Sequence, residues 1–118
     1  MSYIQGFVVP VPTGNKQKYR DAAEKFLALL KEYGAKRMVE AWGVDVPDGT
    51  TTDFKRAVKA TPEETVVFSW IVWPDRATCD AASAKMRTDE RMKAMSDMPF
   101  DAKRMIFGGF EPILDVGL

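Results

Sequence analysis

From Val66 to Trp73 the chain reads Val-Val-Phe-Ser-Trp-Ile-Val-Trp, and Ser69 is the one polar residue in it. A strand with one face in water alternates apolar and polar positions; this stretch is apolar in both phases, which predicts a central strand covered on both sides. Tyr3 to Val11 reads as a first strand, with Pro10 limiting ladder pairing near Val9 because it lacks an amide hydrogen. Lys16 to Tyr33 carries Tyr19, Ala22, Phe26, Leu30 and Tyr33 at three- and four-residue spacing, the signature of an amphipathic helix. Asn15 or Thr13 is placed to cap it, Asp21 and Lys25 are spaced for an ion pair, and Gly34 supplies its stop.

Lys36 to Val46 reads as a second strand with Met38, Glu40 and Trp42 in one phase. A long polar connection runs from Pro47 to Pro62, within which Phe54 to Ala60 suits a helical turn or an extended arm. Asp75 caps an alanine-rich helix from Arg76 to Thr88, and Asp89 a short one from Glu90 to Met95. Met98 to Asp101 is a turn into a last strand, Lys103 to Glu111, whose Gly108-Gly109 pair suggests a bulge or a close backbone approach. Strand, helix, strand, strand, helix, strand is the order of the α+β, ferredoxin-like βαββαβ sandwich. Right-handed crossovers put strands one and three in the middle and both helices on one face. The other face stays uncovered although its central strand is apolar, so a second copy of the chain is the expected partner.

Composition narrows the chemistry more than the fold. The 118 residues suffice for one domain, spanning 1–118, and 17 basic residues balance 17 acidic ones, so no global field attracts nucleic acid or an anionic membrane. No apolar run reaches membrane-helix length and no signal core opens the chain, which predicts a soluble, cytoplasmic protein. The single cysteine, Cys79, excludes an internal disulfide and reads as a small buried hydrophobe. Histidine is absent, which removes His-based triads, haem on a proximal His, and most zinc or non-haem iron sites.

Five stretches, Gly6-Phe-Val-Val-Pro10, Arg56-Ala-Val-Lys59, Glu64 to Val72, Met98-Pro-Phe-Asp101 and Lys103 to Glu111, carry a resemblance across nearly the whole chain. The sequence resembles an uncharacterised bacterial family with a domain-of-unknown-function label (DUF1428-like), in the dimeric α/β-barrel superfamily. The resemblance implies a homodimer of ferredoxin-like subunits and brings no established activity or catalytic residues. Superfamily relatives include cofactor-independent monooxygenases, isomerases, decarboxylases and haem-dependent enzymes, an analogy at the level of fold that does not fix function.

Candidate catalytic residues are Glu40, Asp101 and Arg104. Glu40 points where Met38 and Trp42 point; if that is a cavity, burial raises its pKa and makes it a general base, whereas pairing with a neighbouring Lys or Arg, or a solvent-facing edge position, makes it structural. Arg104 can clamp an anion with two parallel hydrogen bonds, or form an ion pair with Asp101. Trp42, Lys59, Ser69, Met98 and Phe100 are candidate ligand contacts, and Phe68, Trp70 and Trp73 add to an apolar pocket or a dimer core. Ser69 lacks a histidine to activate it as a nucleophile. Asp45, Asp48 and Asp53 lack the calcium-loop pattern, so neither metal nor cofactor is expected. Three readings follow: a homodimer binding a small, partly apolar molecule beside its sheet, with or without cofactor-independent chemistry; a non-catalytic regulatory or interaction module; and an RNA-associated protein. The last is disfavoured because the third strand lacks the basic and glycine positions of an RNA-recognition module.

Overall fold

The computed structural model describes residues 2–94 and 98–118. Four strands, β1 (Tyr3–Pro12), β2 (Arg37–Trp42), β3 (Glu64–Trp73) and β4 (Ile106–Phe110), form one antiparallel sheet in the order β2-β3-β1-β4. Helices α1 (Lys16–Glu32) and α3 (Arg76–Thr88) cross over between them, with two one-turn helices, α2 (Phe54–Ala57) and α4 (Arg91–Ala94). This is the α+β, ferredoxin-like fold that the order of elements predicts, with β1 and β3 central.

Pairing fixes the faces. Tyr3↔Trp73, Phe7↔Ser69 and Val9↔Val67 couple β1 to β3, while Met38↔Ile71, Glu40↔Ser69 and Trp42↔Val67 couple β2 to β3. One side chain of every such pair therefore stands over the same face as its partner. That face meets the helices: Val9, Val11 and Val67 pack with Tyr19 of α1, and Trp73 packs with Leu30 of α1 and Cys79 and Ala82 of α3. The small residues of α3 let it lie close to the sheet. Cys79 is buried as a small hydrophobe.

Several boundaries differ from expectation for local reasons. α1 starts at Lys16 without a side-chain cap. Asn15 instead donates its Nδ2 to the Pro99 carbonyl at 3.2 Å, and the Thr13 hydroxyl bonds that of Thr65. Asp21 accepts from Gln17 at 2.9 Å, and Arg20, not Lys25, is the cation beside it at 3.8 Å, itself paired with Glu24 at 2.9 Å. β2 ends at Trp42; the Gly43 amide still donates to the Val66 carbonyl at 2.9 Å, so close that a side chain at Gly43 would meet that carbonyl at 2.6 Å. The last strand starts at Ile106 and not at Lys103: Asp101 captures the Lys103 amide and closes a 3₁₀ turn over Ala102–Arg104. No bulge occurs at Gly108-Gly109, which pair in register with Gly6 and Gln5; the glycines mark close approach, since a Cβ on Gly109 would lie 1.7 Å from the Tyr3 hydroxyl. Pro10 limits pairing on the β4 side, where the ladder ends at Val8, while β3 pairs with β1 as far as Pro12.

The long connection folds into α2, capped by Asp53, whose carboxylate accepts from the Arg56 amide at 2.7 Å. Lys59 follows in the left-handed conformation (φ 51°) and terminates the turn. Phe54 meets Phe68 edge-on on the sheet's second face, and Val58, Val66 and Pro10 are buried at that end. The rest of the second face stays open. Beyond α3, Asp89 accepts from the Arg91 amide, as a cap to α4 requires, and Arg91 bonds Glu32 at the end of α1. The part of the expected Glu90–Met95 helix that includes Met95 lies outside the described residues.

Candidate functional site

Glu40 stands at the middle of β2 on the helix-covered face, between Met38 and Trp42 and directly across the ladder from Ser69. A carboxylate at that register faces α1, where Tyr19 occupies the apolar stripe. The Tyr19 hydroxyl donates to Glu40 Oε1 at 2.6 Å. Ser69 is buried on β3 and hydrogen-bonds the same carboxylate. Burial pushes the Glu40 carboxyl above its ordinary value, and the hydrogen bonds from Tyr19 and Ser69 pull partly against that shift. Burial first, then the neighbouring Glu40, drives the Tyr19 hydroxyl far above the ordinary tyrosine range, so it stays a donor.

This cluster opens onto a cavity of about 330 Å³ between sheet and helices. Gln5, Tyr19, Glu40 and Ser69 supply its polar groups, and Met38, Met86, Met92, Met98 and Met105 supply thioethers on its walls. Five methionines on one cavity give an apolar lining that repacks easily around different shapes. Phe100 lies against Tyr19 with ring centroids 5.6 Å apart, closing one side. The Arg91 contacts with Asp89 and Glu32 hold α4, and Met92 with it, against the end of α1.

A wider vestibule of about 420 Å³ lies outside, between the first turns of α1 and the edge strand β2. Lys16, Arg20, Glu24 and Trp42 line it, and it shares Tyr19, Ala23, Met38 and Glu40 with the inner cavity. Glu40 therefore stands at the junction of a solvent-open mouth and an apolar interior. Such a carboxyl holds a proton more firmly than a free one and can take or give it, and two hydroxyls beside it can hold an oxygen that gains charge.

The expected site residues divide into two groups. Glu40, Ser69, Met98 and Phe100 come together at the cavity, and Trp42 at its mouth. Asp101, Arg104 and Lys59 stand elsewhere, at the start of β3. Arg104 grips Glu64 with two hydrogen bonds of 2.7 and 2.6 Å, bonds Asp101 at 2.9 Å, and donates to the Lys59 carbonyl at 2.9 Å. That set ties the 3₁₀ turn and the end of α2 to the sheet, and its hydrogen bonds bring Glu64 down to about 2. Sequence reasoning missed Tyr19, which reads only as one apolar position of a helix stripe. The usable signal was that α1 and the Met38-Glu40-Trp42 phase must share a face, which puts the Tyr19 hydroxyl within reach of that carboxylate.

On the second face a trough of about 510 Å³ runs between Ile4, Val8, Phe68, Trp70, Ile106 and Phe110. It contains no charged side chain, and the Phe110 ring lies 3.4 Å from where a Cβ on Gly6 or Gly108 would be. Among the described residues no cluster of His, Cys, Asp and Glu is placed to hold a metal ion, and no helix is long and apolar enough to cross a membrane.

The family described as "Protein of unknown function (DUF1428)" matches residues 2–102, and the chain belongs to it. An uncharacterised protein of Escherichia coli K12, YbaA, is 56% identical over 116 residues, covering 98% of this chain and 99% of its own. Among solved structures, a dimeric ferredoxin-like protein from an uncultured marine organism superposes with a TM-score of 0.64 at 13% identity, covering 98% of each chain. A Nitrosomonas europaea protein provisionally named as an antibiotic biosynthesis monooxygenase superposes with a TM-score of 0.53 at 13% identity, over 98% of this chain and 94% of that one. At such identities the likeness is one of fold.

Proposed function

We propose that this member of the family is a homodimer that binds a small, largely apolar molecule between sheet and helices, with Glu40 as the acid–base group of cofactor-independent proton transfer. The observation that carries the reading is the Glu40 carboxyl, held by Tyr19 at 2.6 Å where a cavity of about 330 Å³ meets solvent. Glu40 is open to solvent on one side, and on the cavity side it is held by hydroxyls and not by a cation, which leaves its proton free to move. In the chemistry we infer, Glu40 removes a proton from an acidic C–H or O–H of the ligand, and the Tyr19 hydroxyl donates to the oxygen left with charge. The reverse transfer returns the proton to the product.

The trough on the second face supports dimerisation, since an apolar surface of this kind suits a two-fold partner presenting the same residues. The dimeric description of one structural neighbour agrees with it. The cytoplasm is the compartment this reading assumes, with Cys79 reduced and buried.

Mass spectrometry of small molecules extracted from the folded, purified protein tests the binding reading. Ala23 lines both the vestibule and the cavity, so Ala23→Phe should block the passage. The expected result is an organic molecule retained by the wild type and by Glu40→Gln but lost from Ala23→Phe, with thermal melts showing all three folded. Equal retention by wild type and Ala23→Phe would refute the site. A wild-type cavity that takes up no probe would favour the non-catalytic module, in which the apolar surfaces serve only association.

A further inference from the structure

We propose that the molecule bound is an amphipathic organic anion, a carboxylate with an apolar body, whose head is held by Lys16 in the vestibule while its tail lies among the methionines. This rests on the binding reading above and adds the charge and orientation of the ligand. Four charged side chains line the vestibule: Lys16, Arg20, Glu24 and Glu40. Arg20 is taken up by Glu24 at 2.9 Å and lies 3.8 Å from Asp21. Glu40 is engaged by the Tyr19 hydroxyl. Lys16 is left over: its ammonium sits 5.7 Å above the Trp42 ring and has no carboxylate partner among the described residues.

Three further features agree with an anion whose charge stays at the mouth. The inner cavity is lined by no lysine or arginine, so a charged head carried inward would lose its hydration without a counter-ion. The first turn of α1, which Lys16 opens, has neither an acidic residue nor a side-chain cap, so the positive end of the helix reinforces the ammonium. Trp42 and Leu27 make the lip apolar, which suits the body of such a molecule as it passes inward. The shared residues Tyr19, Ala23, Met38 and Glu40 make mouth and interior one path, so a single ligand can span both.

Matched pairs of probes separate the charge from the apolar body: octanoate against octan-1-ol, and 3-phenylpropanoate against 3-phenylpropan-1-ol. Each is titrated into the protein at neutral pH and low salt, followed by calorimetry and by tryptophan fluorescence, to which Trp42 at the mouth contributes. The wild type should bind each carboxylate about two- to fivefold more tightly than its alcohol, the worth of one exposed ion pair. Lys16→Gln should erase that preference and leave alcohol affinity unchanged, and added salt should shrink it in the wild type alone. Equal affinity of acid and alcohol in the wild type, or a preference that survives Lys16→Gln, overturns the anionic assignment while the cavity stands as a binding site. Failure of all four probes to bind overturns the binding reading and this proposal with it.

Discussion

Two carboxylates respond to acid in opposite directions, and the difference tells site from scaffold. Glu40 has its value raised from 4.5 by burial, so the folded state holds that proton more firmly than the unfolded chain does. Its contribution to stability is therefore full below about 4.5 and is lost as pH rises through the raised value. Glu40→Gln keeps an acceptor for Tyr19 and removes the charge, so its melting temperature relative to wild type should climb as pH is taken from 4.5 upward. A flat difference across that range would mean that Glu40 ionises as freely as a surface carboxylate. Glu64 runs the other way, brought from 4.5 to about 2 by the hydrogen bonds of Arg104. The stability it supplies is present above 4.5 and is lost as pH falls toward 2. Arg104→Ala strands Glu64, whose side chain is only 8% exposed, and should destabilise the fold more than Arg20→Ala, which breaks a pair exposed on both sides. Glu40 was legible in the sequence because a charge between Met38 and Trp42 in one strand phase has to share their surroundings. Arg104 was legible only as an anion-binding type; the partner that occupies it, Glu64, lies 40 residues away, and no local spacing reveals such a contact.

At the scale of elements, the hydrophobic pattern gave the four strands and the two long helices and left α2 open between a helical turn and an extended arm, and the errors fell where a long-range contact sets a boundary. β2 stops beside Gly43, which lies against the Val66 carbonyl, and β4 starts late because Asp101 and Arg104 draw the preceding turn toward β3. The cavity was harder to read than the sheet, since its five methionines come from β2, α3, α4 and the segment before β4, and only the packed fold brings them together. The glycine pair in β4 illustrates the same limit: it signalled close approach without saying to what. Tyr3 is the answer, its hydroxyl standing where a Cβ on Gly109 would go. Gly109→Ala should therefore cost about 1–3 kcal/mol in chemical denaturation, the usual range for overpacking. Gly14→Ala, with nothing within 4 Å of the added carbon, is the control that should show no such loss. Comparable costs at the two positions would remove Tyr3 as the cause.

For the whole molecule, the proposed partner follows from the apolar doublet of phases in β3. One phase, with Val67, Ser69 and Trp73, is buried beneath the helices. The other is closed only at the end where Phe54 meets Phe68, and from there Phe68, Ile106 and Phe110 remain 46%, 45% and 59% exposed around one trough. Burying such side chains against a second copy is worth about 1.5–3 kcal/mol each, and a two-fold axis counts every residue twice. Phe68→Asp should therefore weaken the dimer about a hundredfold or more, which sedimentation velocity at micromolar concentration would register as conversion to monomer. Ile106→Asp, on the neighbouring edge of the trough, should do the same without touching the Phe54 contact, so that loss of α2 packing is not mistaken for loss of the interface. Both substitutions lie on the face opposite Glu40, so octanoate should still bind the monomers if the cavity is complete within one subunit. A wild-type chain that sediments as a monomer would remove the partner from the second face, and β3 would then be an exposed apolar surface needing another explanation.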